Sequence, residues 1–155
     1  MGYISGVLIL ASIMAIASAG LAIFTGFTGQ FSMGHAAFMA IGAYTAAILT
    51  YFYQVNFVLA LIAGSVMAVL ASLVIGIPTL KAKLRSDYFA IATLGFGEAV
   101  RVILENLEIT QGARGLPGIA RLTTWSVILV SLGIMLWLAR SYVNSKWGWR
   151  AIAVR

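Results

Sequence analysis

The sequence predicts an all-α integral membrane protein: about five transmembrane helices packed as a helix bundle. Three observations carry this. Of 155 residues, 62% are hydrophobic and 9% charged, against roughly half and a quarter in an average soluble domain. The apolar runs are long and continuous, whereas a membrane barrel would show alternating segments of about ten residues. The basic residues bracket these runs and do not form a patch interleaved with aromatics, which is the pattern of the positive-inside rule and not of a nucleic-acid surface.

A helix needs about 20 apolar residues to cross a bilayer. On that measure the spans fall near Tyr3 to Thr25, His35 to Tyr53, Phe57 to Leu80, Tyr88 to Leu107 and Thr124 to Arg140, within one partial transmembrane domain over residues 1–155. The fourth carries Glu98 and Arg101 inside its apolar run. Seven of the ten basic residues lie in two clusters, Lys81, Lys83 and Arg85, then Arg140, Lys146, Arg150 and Arg155. Two spans separate the clusters, so both can be cytoplasmic. Counting back through three spans puts the N-terminus outside. The first basic residue is Lys81, so the first span lacks the basic flank of a signal peptide and is expected to be retained.

The third span repeats a small residue every four positions, in Ala60, Gly64, Ala68, Ser72 and Gly76. The second does so nearly as regularly in Ala36, Ala40, Ala43 and Ala47. Such stripes let helices approach closely, and both are read as packing faces in preference to a pore lining.

Cysteine is absent, which excludes a disulfide framework and a thiolate metal site. The single histidine has no HExxH motif around it, so no metal or other cofactor is expected. "GFGEAV" lacks the third glycine and the preceding strand of a dinucleotide fingerprint. Without a Walker lysine, a GxSxG elbow or paired catalytic carboxylates, the chain reads as a non-enzyme.

The polar residues within apolar surroundings are the candidates for function. In "GFTGQFSMGH", Gly29, Gln30, Ser32 and Gly34 interrupt the run just before His35. Glycine relaxes the backbone, and hydroxyl and amide groups can pair with the freed N–H and C=O groups. Two arrangements satisfy this: a broken helix beside a substrate site, or a short turn between two spans. His35 opens the second span, where its ring can cap the helix or face a polar cavity. Glu98 and Arg101, three apart, share a helix face and can form a salt bridge or face a polar pathway. Ser86 and Asp87 both suit the N-cap of the fourth helix. The glycine-rich loop from Ile109 to Leu122 carries Arg114 and Arg121, which either decorate a solvated connector or dock an external protein.

Three blocks, "GQFSMGHAAFMAIGAYTAA", "DYFAIATLGFGEAVRVIL" and "GARGLPGI", in this order and spacing, resemble the membrane permeases of bacterial and archaeal ABC importers for branched-chain amino acids. The closing "SKWGWRAIAVR" resembles the start of that family's cytoplasmic coupling loop. Trp149, Val154 and Met33 depart from the usual arginine, isoleucine and leucine. The resemblance covers nearly all of the chain but about the first half to two-thirds of a family member, so a truncated product or fragment is expected.

What the resemblance implies is a multi-pass subunit in the plasma (inner) membrane of a prokaryote, embedded in the lipid bilayer. It would work with a second permease subunit, two cytoplasmic ATP-binding subunits and an external substrate-binding protein. Gly29, Gln30, Ser32, Gly34, His35 and Glu98 become translocation-path candidates. Trp147, Gly148, Arg150 and Arg155 become ATPase-coupling candidates, and Arg114 and Arg121 candidates for docking the binding protein. Two rivals have different signatures. A secondary carrier or proton-coupled channel would use Glu98 and His35 directly, and a structural membrane subunit would have no transport activity of its own.

Overall fold

The computed structural model describes residues 3–82, 86–110, 112–116 and 123–145. Five α-helices follow in order: α1 (Tyr3–Thr28), α2 (His35–Tyr51), α3 (Phe57–Lys81), α4 (Ser86–Asn106) and α5 (Trp125–Val143). Short 3-10 turns at Glu108–Thr110 and Gly112–Arg114 follow α4. No strand occurs among the described residues, so the fold is the all-α class that the apolar runs predict. The spans Tyr3–Thr28, Phe57–Thr79 and Trp125–Val143 are long and apolar enough to cross a membrane. Helix α2 is shorter, at 17 residues, and α4 includes Asp87, Glu98, Arg101 and Glu105.

Burial is inverted relative to a water-soluble protein. Large apolar side chains such as Leu10, Val74, Leu129 and Trp137 point outward, while Ala37 and Ala60 are among the buried residues. Lipid tails are as apolar as leucine, so large side chains gain nothing by turning inward, and close packing selects small ones. Hydroxyls within the helices are satisfied locally: Ser12, Thr25, Thr45 and Ser65 each donate to the carbonyl four residues earlier, as expected where water is absent.

The described residues form two compact units. The first joins α1 and α5, where Phe27 meets Tyr142 edge-on with ring centroids 5.2 Å apart. The second contains α2, α3 and α4. Its tightest crossing is between α2 and α3 at two glycines. A Cβ added to Gly64 would lie 2.5 Å from the Gly42 carbonyl oxygen, and one added to Gly42 would lie 3.3 Å from the Gly64 oxygen. The upper part of the expected α3 stripe therefore packs on α2, with Ala60 and Gly64 buried. At its far end Gly76 has nothing within 4 Å of an added Cβ.

The expected α2 stripe is corrected. Helix α2 meets α3 through Gly42 and Ala46, roughly 110° around the helix from the Ala36, Ala40, Ala43 and Ala47 line at 3.6 residues per turn. Ala36 and Ala40 instead line a cavity shared with α4. On the α4 side, Phe38 stacks in a tilted arrangement on Phe96, centroids 5.5 Å apart.

Helix boundaries follow local chemistry. Asn56 opens α3, its Oδ1 accepting from the Val58 N–H at 3.0 Å and its carbonyl from Ala60. Thr110, fully buried, closes α4 by donating to the carbonyls of Leu104 and Leu107. Helix α4 starts at Ser86, with Asp87 in its first turn; residues 83–85 are outside the described set.

Candidate functional site

The interrupted block resolves into two parts. Helix α1 runs three residues past its expected end, to Thr28, whose Oγ1 donates to the Phe24 carbonyl. Gly29 then adopts φ 65°, the left-handed conformation in which glycine terminates helices without a Cβ penalty. Its N–H still bonds the Thr25 carbonyl, and the Gln30 N–H takes Thr28 Oγ1 at 3.2 Å.

Residues 31–34 belong to the second unit and rest on α4. The Met33 N–H donates to Thr93 Oγ1 at 3.1 Å, and that hydroxyl donates to the Ala90 carbonyl at 2.9 Å. Thr93 is 2% exposed. Gly34 is the N-cap of α2, at φ −83° and ψ 4°, which any residue can adopt. What it supplies is close approach: a Cβ there would sit 2.8 Å from the Thr93 carbonyl oxygen, and a Cβ added to Gly97, one turn on from Thr93, would lie 3.8 Å from the Gly34 Cα. Ser32 is buried beside it. The non-helical segment is thus a fitted seat of backbone on helix.

Beyond this seat lies a cavity of about 370 Å³. Ala36, Ala37, Ala40 and Tyr44 of α2 line one side, and Gly97, Val100 and Leu104 of α4 line the other. Glu98, Arg101 and Glu105 stand at it as a row along α4. Arg101 Nη1 reaches Glu98 Oε1 at 3.4 Å, and Nε bonds Glu105 Oε1 at 2.9 Å. The expected Glu98–Arg101 pair is present, but the guanidinium is shared with a second carboxylate. A charged row on a helix with apolar flanks is the usual mark of a polar pathway in a membrane protein.

His35 is the first residue of α2, half-buried and outside the cavity lining. No hydrogen bond or ion pair joins it to Glu98 among the described residues. Arg114 is exposed in the second 3-10 turn. Its loop is shaped by Gly112 and Gly115, both at positive φ. Arg121, Trp147, Gly148, Arg150 and Arg155 lie outside the described residues. Sequence reasoning missed Thr93, Tyr44 and Glu105. The Thr93–Gly97 spacing of four is the signal in the sequence for the seat.

The chain matches, over residues 3–155, the family described as branched-chain amino acid transport system, permease component. The chain belongs to that permease family. Two relatives carry the printed name "High-affinity branched-chain amino acid transport system permease protein LivM". The protein from Escherichia coli (strain K12) is 41% identical over 119 residues, 76% of this chain and 28% of the relative. That from Salmonella typhimurium (strain LT2) is 40% identical over 116 residues, 74% of this chain and 27% of the relative. This permease chain therefore spans a little over a quarter of the length of the curated relatives it matches. No solved structure matches it.

Proposed function

We propose that this chain is a transmembrane permease subunit of an ATP-driven importer for branched-chain or related amino acids, contributing part of the substrate translocation path. The observation that carries the reading is the cavity between α2 and α4, where a charged row meets an apolar wall in a chain of the permease family. In the proposed system an external binding protein delivers substrate to this subunit and a second permease. Two cytoplasmic ATP-binding subunits then drive alternating access, in the plasma membrane of a prokaryote. Nucleotide can shift the permease equilibrium only through contacts that differ between its two states. Arg150 and Arg155, with Trp147 and Gly148, are proposed to make those contacts, and Arg114 and Arg121 to face the binding protein. The proposed topology puts Lys83 and Lys146 on the cytoplasmic side and Gly115 outside.

The carrier alternative has less support. It needs Glu98 and His35 to relay a proton, a relay needs titratable groups in sequence, and Glu98 is paired with Arg101 instead. The test is leucine uptake in cells lacking the chain and in cells with it restored. Restoration is expected to recover uptake that disappears when the ATP-binding subunits are deleted. Uptake that survives their deletion and collapses with the proton gradient would make the protein a carrier.

A further inference from the structure

We propose that the seat of residues 31–34 on α4 is a gate inside the membrane, closing the cavity between α2 and α4 toward the side of the α3–α4 connection. It rests on the permease reading above, whose topology makes that side cytoplasmic.

The helices themselves measure the depth of the seat. Helices α2 and α3 cross at Gly42 and Gly64. From the crossing α2 runs back about 10 Å to His35, while α3 runs on about 25 Å to Lys81, at the helical rise per residue. Helix α3 therefore passes the start of α2 by about 15 Å. Helix α4 gives an independent ruler. It opens at Ser86, and Thr93, which holds the seat, lies about 10 Å along it. In the other direction α2 extends about 25 Å to the exposed aromatics Tyr51, Phe52 and Tyr53, residue types that gather at a membrane interface. With about 10–15 Å of helix on one side and about 25 Å on the other, the seat falls within a hydrocarbon core about 30 Å thick. Irregular backbone at that depth must be covered by protein or line a water-filled path.

The cavity ends at the seat. Met33 and Leu94 are the lining residues nearest to it, and the hollow runs from them to Tyr44, Leu104 and Glu105, one residue short of the end of α4. Among the described residues nothing on α4 before Leu94 lines the cavity, and on that side of the seat Thr79 and Phe89 are buried. Gly34 and Thr93 thus stand between the hollow and the joined ends of α3 and α4.

The closure is built to release. Ser32 and Gly34 are buried while Phe31 and Met33 are about half exposed, so one edge of the segment is held. Among the described residues a single hydrogen bond ties it to another helix, from the Met33 N–H to Thr93 Oγ1. Thr93 keeps its own bond to the Ala90 carbonyl when the segment leaves, so opening exposes one backbone N–H to water in the opened path. A closed state held by one such bond and by the close fit at Gly34 is a two-state element whose populations can be shifted by contacts made elsewhere.

The test uses the assembled transporter in vesicles of known orientation, with Leu94→Cys as the reporter in a chain that has no other cysteine. A membrane-impermeant thiol reagent is expected to modify it readily from outside and, at rest, far more slowly from the cytoplasmic side. Adding Thr93→Val, which removes the acceptor and keeps the shape, is expected to raise the cytoplasmic-side rate by up to about tenfold, the shift one lost hydrogen bond gives, with the outside rate unchanged. Adding Thr93→Ser, which keeps the hydroxyl, is expected to leave both rates as they are in Leu94→Cys alone. ATP is expected to raise the cytoplasmic-side rate with the native seat in place, a readout that stands even where Thr93→Val fails to assemble. A reporter silent from outside, one equally reactive from both sides at rest, or a cytoplasmic-side rate that neither Thr93→Val nor ATP changes would overturn the gate, while ATP-dependent leucine uptake by the wild-type transporter kept the permease reading. Absent uptake in wild type would overturn both.

Discussion

Gly34→Ala is expected to lower the stability of the second unit by about 1–3 kcal/mol, seen as a lower thermal midpoint in detergent. The cause is contact and not conformation. At φ −83° alanine fits the backbone without strain, but its methyl would lie 2.8 Å from the Thr93 carbonyl oxygen and 3.2 Å from the Thr93 Cβ. The carbonyl belongs to a helix and cannot swing aside, so the seat must open. Opening it also endangers the part-buried bond from the Met33 N–H to Thr93 Oγ1, and a hydrogen bond lost there adds about 0.5–1.5 kcal/mol. Thr93→Val, which removes that acceptor and keeps the shape, is expected to cost a comparable amount. Gly95→Ala in the same helix has nothing within 4 Å of its Cβ. It is expected to be neutral or slightly stabilising, since alanine is the better helix former by about 1 kcal/mol. Equal midpoints for Gly34→Ala and Gly95→Ala would mean that the seat is not closed.

Gly64→Leu is expected to be at least as damaging. Its Cβ alone would meet the Gly42 carbonyl oxygen at 2.5 Å and the Ala46 Cβ at 3.4 Å. Both belong to α2, so α2 and α3 would have to separate along the whole crossing. Overpacking of this kind costs about 1–3 kcal/mol, occasionally more, and in a membrane it removes the close approach that drives helix association. Gly76→Leu continues the same stripe where no atom lies within 4 Å and is the matched control. Thermal unfolding in detergent, with release of α3 followed by limited proteolysis, separates the two. A loss for Gly76→Leu equal to that for Gly64→Leu would assign the effect to composition and not to the crossing.

The lengths of the apolar runs sufficed to place the helices to within a few residues, because each run had to fill one helix. The ends were harder. Helix α1 runs on to Thr28 and stops at Gly29, whose positive φ apolar counting does not register, and Asn56 fixes the start of α3 through its own amide oxygen. The α3 stripe was legible, since a glycine–alanine repeat at four-residue spacing has few other uses. The α2 stripe misled for a physical reason: a row of alanines marks equally a close packing face and the wall of a hollow, and periodicity supplies a face but not its occupant. Of the charged row, Glu98 and Arg101 were legible at spacing three, whereas Glu105, four residues beyond Arg101, was not singled out. The Thr93 seat was hidden because its partner is a backbone N–H 60 residues away, and a backbone donor leaves no trace in residue identity.

The most direct measurement uses the absence of cysteine from the chain, so that one introduced thiol reports without background. Ala40→Cys places it on the α2 wall of the cavity, with Val74→Cys on the outward face of α3 as the comparison. In the assembled transporter, Ala40→Cys is expected to react with a hydrophilic thiol reagent, and saturating leucine is expected to slow that reaction several-fold, while Val74→Cys stays indifferent to leucine. A thiol at Ala40 that leucine leaves unchanged, in a complex that still accumulates leucine, would contradict the assignment of this cavity to the translocation path.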